Sequence, residues 1–513
     1  MFGVVAALAT TGGGAVPDLF KHFIGGQWVE SVNGATFENR NPANGELVGE
    51  FARGGAAEIG RAVAAAKGAF NKWRLFPAPH RGEILYRVGQ MLNEQKESLA
   101  RDMTREMGKV LAEARGDVQE GIDMAFYMAG EGRRQFGQVV PSELPNKWAM
   151  AQRRPIGVVG LITPWNFPMA IPTWKIMPAL ICGNTVVFKP ATYTPLLAYR
   201  LVQIFEEAGL PPGVLNIVFG AGGEVGTALI EHPDVKLVSF TGSTEIGDEV
   251  AMAGARGRKR VMLELGGKNA VMVMDDADLD LATEGILWSA FGTSGQRCTA
   301  ASRVIVHQAV YRDLTDKLVA KVRQLRLGDG LDEATDVGPV ISDAQLERIH
   351  SYIPVGQREG AELVVGGNVA RSGSLGKGFF HEPTIFTGVM PDMRIAREEI
   401  FGPVVSVLPV QSLEQAIEIV NQSDYGLSAS IFTRDVNRAF QAMRDVDTGI
   451  LYVNAGTTGA EIQLPFGGTK ATGNGHREAG TAALDVFSEW QAVYIDYSGK
   501  LQKAQIDAVG EEA

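Results

Sequence analysis

The sequence predicts an α/β protein built on two doubly wound parallel sheets. Three observations carry that expectation. Short apolar runs alternate with amphipathic stretches from about residue 155 onward, and a second such series starts near residue 270. Glycine is abundant, at 62 residues, as expected where many tight turns join short elements. Finally, 513 residues exceed what one hydrophobic core usually holds. Strand–helix alternation demands right-handed crossovers and parallel strands, so two α/β domains are expected.

The elements follow in order. Residues 55–135 read as mainly helical, with Ile59, Val63, Ala66 and Phe70 spaced by three and four. Residues 138–154 (QVVPSELPNKWAMAQRR) alternate, carry proline and are bounded by turns, which predicts a protruding hairpin. Residues 156–163 (IGVVGLIT) and 185–188 (TVVF) read as buried strands, and 195–208 as a helix ending at Gly209. A strand at 214–219 (VLNIVF), a glycine-rich turn and a helix at 225–231 come next. Then come a strand at 235–240 (VKLVSF) and a helix opening at Gly242-Ser243. The second series holds strands at 270–274 (AVMVM) and 302–306 and helices at 309–322 and 413–420. Residues 492–496 (AVYID) read as a strand with no obvious local partner; such edges are usually covered or used in assembly.

Charge and composition exclude several roles. The net charge is −11 and the 48 basic residues are scattered, which argues against nucleic acid or an anionic membrane as partner. Two cysteines make neither a disulfide framework nor a cysteine-rich zinc site; no metal is assigned, and a reducing, cytoplasmic setting is expected. No run reaches the ~18 apolar residues of a membrane span. The opening MFGVVAALATTGGGAVPD has a short apolar run with no preceding Lys or Arg, and reads as a tail or an alternative start, not a signal peptide.

Three features carry candidate chemistry. Glycine-rich turns at 220–226 (GAGGEVG) and 240–247 (FTGSTEIG) each follow a strand and open a helix. Either presents backbone N–H groups to an anion, or is an ordinary turn, and neither matches G-x-G-x-x-G. Glu264 ends an apolar strand, as a surface charge or as a base in a cleft, since open α/β sheets bind ligands at strand carboxyl ends. Cys182 sits in an apolar run and reads as a small hydrophobe. Cys298 sits instead among Gly, Ser and Thr beside Arg297, a setting expected to be electropositive, accessible and favourable to thiolate. No histidine pairs with it by sequence, so a Cys–His hydrolase is poorly supported.

Seven short motifs then fall in one order: PWNFP at 164–168, KP at 189–190, FTGST at 240–244, LELGGK at 263–268, GQRC at 295–298, EEIFGP at 398–403 and PFGG at 465–468. Over roughly residues 18–500 the chain resembles the NAD(P)-dependent aldehyde dehydrogenase superfamily. The resemblance implies an NAD(P)-binding domain at 18–137 and 158–264, a catalytic domain at 265–484, and a small β oligomerisation arm at 138–157 and 485–505. It implies a homodimer or homotetramer, with the C-terminal strand finishing a neighbour's sheet. It further implies that Cys298 attacks an aldehyde, that Asn166 and the Cys298 N–H hold the oxyanion, and that Glu264 activates the water releasing the acid. Lys175 and Glu478 match a proposed proton relay.

For the cofactor, NADP or NAD, the same resemblance assigns Glu399 to the nicotinamide ribose and Phe401 to the nicotinamide end. It assigns Ser243 to the pyrophosphate, Lys189 to the adenosine ribose, and Gly222 and Gly226 to close approach at the adenosine half. Trp165 and Leu265 complete that surface. Thr192 departs from the pattern, because NAD-preferring relatives carry a glutamate there that repels a 2′-phosphate. Acceptance of NADP⁺ is therefore expected. Phe167, Trp174 and Phe466 match pocket-lining positions, and Arg297 points to a carboxylate-bearing semialdehyde, since Arg suits carboxylates. Arg297 equally fits a role in orienting the loop or lowering the thiol pKa.

Overall fold

A computed structural model describes residues 19–506. The N-terminal segment read as a tail lies outside the described residues, as does residue 18, the expected start of the first domain.

Two seven-stranded sheets form the framework. The first runs Arg260–Glu264, Val235–Thr241, Val158–Ile162, Thr185–Lys189, Leu215–Ile217, His22–Ile24, Gln27–Val29. Its first five strands are parallel, and the two N-terminal strands add to the edge antiparallel. The strands VVGLI and TVVFK are buried throughout because helices cover both faces, and a sheet so covered is apolar without alternation. The helix Ala56–Trp73 illustrates the cover: Ala62, Val63 and Ala66 are fully buried against the sheet, one apolar stripe at helical spacing.

The second sheet runs Glu362–Val365, Thr384–Thr387, Val404–Val410, Ala301–His307, Asn269–Val273, Ser428–Phe432, Ile450–Val453, parallel except for its first strand. The expected helical region resolves into Ala56–Trp73, Ala78–Glu94, Lys96–Met107 and Leu111–Glu131. Locally the structure departs from the sequence reading at the 220–226 turn. There a π-helical turn, Gly222–Gly226, precedes the helix Thr227–Glu231.

A third sheet bears on one expectation. The hairpin strand Lys147–Pro155 pairs antiparallel with Gln138–Pro141 on one side and with Ser488–Asp496 on the other, along the full length of the latter. The C-terminal strand is therefore paired along one edge, while its other edge ends the sheet. Its partner lies in its own chain, too far away in sequence for any local pattern to announce.

The first sheet also positions the site. Ile162 lies beside Lys189 and Phe240, and Thr241 beside Glu264, so these strands end at one edge, where α/β sheets bind ligands. From Glu264 the chain crosses between sheets in four residues, because Asn269 already pairs with Ala301 of the second sheet. Cys298 stands just before Ala301. Both groups meet at the seam.

Candidate active site

Cys298 is carried by a strained loop. Thr293, Ser294 and Gly295 have φ of +53°, +55° and +69°, a left-handed run that costs a non-glycine residue of order 1–3 kcal/mol. Gly295 is required: a Cβ there would come within 2.2 Å of the Gly402 carbonyl. The strain is held by side chains. Glu113 accepts from the Thr293 N–H at 2.9 Å and from its hydroxyl at 3.0 Å. Ser294 Oγ donates to the Gly338 carbonyl at 2.7 Å, and Gln296 Oε1 accepts from the Ile341 N–H at 2.9 Å. Asn269 Nδ2 donates to the carbonyls of Cys298 (2.7 Å) and Ala300 (2.9 Å).

Arg297 belongs to this bracing. Its Nη2 lies 3.0 Å from Glu113, its Nε donates to Thr293 Oγ1 at 3.0 Å, and its guanidinium sits 4.6 Å from the Trp288 ring centre. The electropositive setting expected of Cys298 is thus reversed, because the adjacent cation is committed to a carboxylate. Burial first, then the charges of Glu264, Glu399 and Glu478, push the thiol up to about 12. It rests as the thiol.

Glu264 is buried, and one of its oxygens, Oε1, has no hydrogen-bond partner among the described residues. Burial, then the neighbouring Glu478, hold its carboxyl well above the usual carboxylate range. Gly467 leaves room for it, since a Cβ there would stand 2.5 Å from that oxygen. Lys175 Nζ donates to Ser239 Oγ at 2.8 Å and is ion-paired with Glu478. Glu478 exchanges backbone hydrogen bonds of 2.7 Å with Phe466, which ties the Lys175–Glu478 pair to the pocket wall. Asn166 is buried, and its Nδ2 donates to the Gln296 carbonyl at 3.1 Å.

Two cavities meet at the sulfur. One, of about 200 Å³, is lined by Phe167, Trp174 and Phe466 together with Arg297, Glu264 and Glu478. Trp174 and Phe466 pack edge to face at 5.0 Å. The other, of about 160 Å³, is lined by Trp165, Asn166, Ser243, Leu265, Glu399 and Phe401, with Trp165 and Phe401 edge to face at 5.6 Å. Cys298 lies on both walls.

The residues along the second cavity and the strand edge beyond it fit a dinucleotide. Ser243 caps the helix Thr244–Arg256, leaving a helix N-terminus open to an anion. Glu399 Oε1 accepts from the Gly267 N–H at 2.9 Å, and a Cβ at Gly266 would lie 2.3 Å from Oε2 of Glu399, so any larger residue there would displace that carboxylate. Lys189 is buried, and desolvation alone lowers its pKa to about 8. Such an ammonium gains from an anionic or polyhydroxy partner. Beyond the cavity, a Cβ at Gly222 would meet no protein atom within 4 Å, and one at Gly226 only the tip of Ile162. Thr192 is half-buried in the turn after Lys189.

The Aldehyde dehydrogenase family profile matches residues 28–493. The chain belongs to the aldehyde dehydrogenase family. It is 44% identical to the α-ketoglutaric semialdehyde dehydrogenase of Bacillus subtilis over 93% of this chain and 98% of that one. A solved E. coli NADP-dependent enzyme superposes with a TM-score of 0.90 at 37% identity, covering 93% of this chain and 98% of that chain. The betaine aldehyde dehydrogenase of Staphylococcus aureus, solved with NAD⁺, superposes with a TM-score of 0.92 at 35% identity, covering 94% and 95%.

Several residues of this aldehyde dehydrogenase site escape the motif reading. Gln345 and Arg348 line the second cavity. Glu113, Asp117 and Glu120 line the first, all from the helix Leu111–Glu131. Their spacing of four and three places them on one helix face, the one available signal, and such a pattern ordinarily marks a solvated surface.

Proposed function

We propose that this aldehyde dehydrogenase oxidises a carboxylate-bearing semialdehyde to the acid through an acyl bond to Cys298. The observation that carries this reading is the position of that sulfur on the shared wall of the two cavities, one of which it lines together with an acid whose oxygen has no partner among the described residues. The Bacillus relative, similar over nearly the whole of both chains, supports the substrate class.

Cys298 Sγ adds to the aldehyde carbon, and its proton leaves toward the Glu264 side of the cavity. The Asn166 amide and the Cys298 N–H stabilise the oxyanion, a donor pair of which each member is commonly worth ~10²–10³ in rate. Bound NAD(P)⁺ would supply the acceptor for the hydride that the aldehyde carbon must lose on the way to the thioester. Glu264 then draws a proton from water as that water attacks the thioester; a raised carboxyl pKa suits a base working near neutrality. Lys175 and Glu478 pass the proton onward. Trp165, Lys189, Thr192, Gly222, Gly226, Ser243, Leu265, Glu399 and Phe401 hold the cofactor, while Phe167, Trp174 and Phe466 hold the substrate body.

The two sheets support a division into an NAD(P)-binding domain (18–137 and 158–264) and a catalytic domain (265–484). Residues 138–157 and 485–505 form the arm, where Val139, Trp148 and Tyr494 are 68%, 54% and 67% exposed. That apolar surface supports a homodimer or homotetramer. Scarce cysteine supports a cytoplasmic setting. Absorbance at 340 nm with a semialdehyde, its uncharged analogue, NAD⁺ and NADP⁺ tests the whole reading. NADP⁺ should serve at least as well as NAD⁺, and no reduced nucleotide with any aldehyde would overturn the reading.

A further inference from the structure

The charged groups around the substrate cavity neutralise one another in pairs, with one exception. Arg297 is paired with Glu113, and Lys175 with Glu478. Lys109, fully buried, lies 2.9 Å from Asp117, whose other oxygen accepts the Ala170 N–H at 2.7 Å. Lys109 also sits 4.0 Å from the Phe167 ring centre, so its remaining face is covered. Apart from Glu264, the base, the carboxyl of that wall outside any ion pair among the described residues is Glu120. It is half-buried on the helix Leu111–Glu131, and it opens on the cavity that holds Cys298.

We propose that Glu120 is the specificity-determining residue for the far end of the substrate, donating a hydrogen bond as a neutral acid to the substrate's distal carboxylate. The proposal rests on the semialdehyde reading and deepens it. Arg297 cannot be the sole receptor, since its Nε and Nη2 are already engaged. An O–H···O⁻ hydrogen bond is short and strong compared with a neutral pair, and an incoming carboxylate itself disfavours loss of the Glu120 proton.

The groups around Glu120 act in the same direction. Desolvation, then Asp117 on the same helix, raise its carboxyl to about 8, against the opposing pull of Lys109 and Arg297; Asp123 adds to the rise. Tyr452, close enough to feel the charge of Glu120, is itself raised to about 12 by burial first and then by Glu120, Cys298 and Glu461, so it stays neutral. Below about pH 8 Glu120 is a donor. Above it, Glu120 becomes a second anion facing the first.

The test compares 4-oxobutanoate with butanal on the whole enzyme, with saturating cofactor, from pH 6.5 to 9.5. The ratio of their kcat/KM values cancels the titration of Cys298 and Glu264, which both substrates share. In the parent the ratio should fall roughly ten-fold per pH unit beyond about pH 8, as the protonated fraction does. Glu120→Gln keeps a donor that does not titrate, so it should retain the ratio at pH 7 and abolish the fall. Glu120→Ala, with neither donor nor charge, should lower the ratio at pH 7 and leave it independent of pH, so that it meets or exceeds the parent's at the alkaline end. A pH-dependent fall surviving in Glu120→Gln, or an unchanged ratio at pH 7 in Glu120→Ala, overturns the role of Glu120. A parent that prefers butanal, or prefers 4-aminobutanal, overturns the semialdehyde reading instead.

Discussion

The two cavities that meet at Cys298 are made differently. The cavity that holds Ser243, Leu265 and Glu399 is set among strand ends, a helix start and glycines that bring the backbone close to its wall. The other cavity joins an aromatic wall to acids carried by one helix, Leu111–Glu131, of which Glu113 and Asp117 are cancelled by partners from other parts of the chain. A backbone cradle tolerates little change of residue and leaves short motifs. A wall of paired charges can be rebuilt with other pairs, so it can vary with the substrate while the chemistry stays fixed.

The comparison can be broken in four ways, from the largest effect down. Cys298→Ser should lower aldehyde oxidation by ~10⁴ or more while leaving nucleotide affinity, read by fluorescence titration, unchanged. Lost nucleotide affinity would show that the two sides are not separable. Asn166→Ala removes one oxyanion donor and should lower kcat by ~10²–10³ with KM little altered; a rise in KM alone would move Asn166 to substrate binding. Arg297→Ala leaves Glu113 buried without its cation, a loss of about 3–5 kcal/mol of stability. It should lower the unfolding midpoint and slow acid-bearing and neutral aldehydes alike, whereas a selective rise in KM for acid-bearing substrates would return Arg297 to the substrate-binding set.

The smallest effect concerns the thiols. Cys298 and Cys182 are both pushed up to about 12, chiefly by burial, yet Cys298 lines both cavities and Cys182 packs in the core. Below a pKa the thiolate fraction rises about ten-fold per pH unit. In cofactor-free enzyme, iodoacetamide should therefore label one thiol per chain, about ten-fold faster for each unit between pH 7 and 10. A plateau near pH 8 would restore the electropositive setting expected from the sequence.

The contrast between the cavities also explains what was legible. Cys298, Glu264 and Asn166 stand in motifs whose local chemistry is nearly self-sufficient. The strand ends that carry Lys189, Ser243 and Glu264 follow from apolar runs and glycine turns. Of the three roles open to Arg297 in the sequence, bracing its loop is the one with a visible partner, and that partner, Glu113, is 184 residues away, beyond any local pattern. Glu120 was hidden because acids spaced by helical turns ordinarily face water. The C-terminal strand looked partnerless because its partner precedes the first sheet's Val158–Ile162 strand, far back in the chain. Long-range pairing, of charges or of strands, is what a single sequence conceals.

The four-residue crossing between Glu264 and Asn269 has a mechanical consequence. Glu264 and Cys298 ride on separate plates joined by a short Leu-Gly-Gly-Lys strap, so a small rotation of one plate against the other alters their spacing before it disturbs either core. Mild denaturant or high pressure should therefore silence turnover while spectroscopic signatures of both sheets persist.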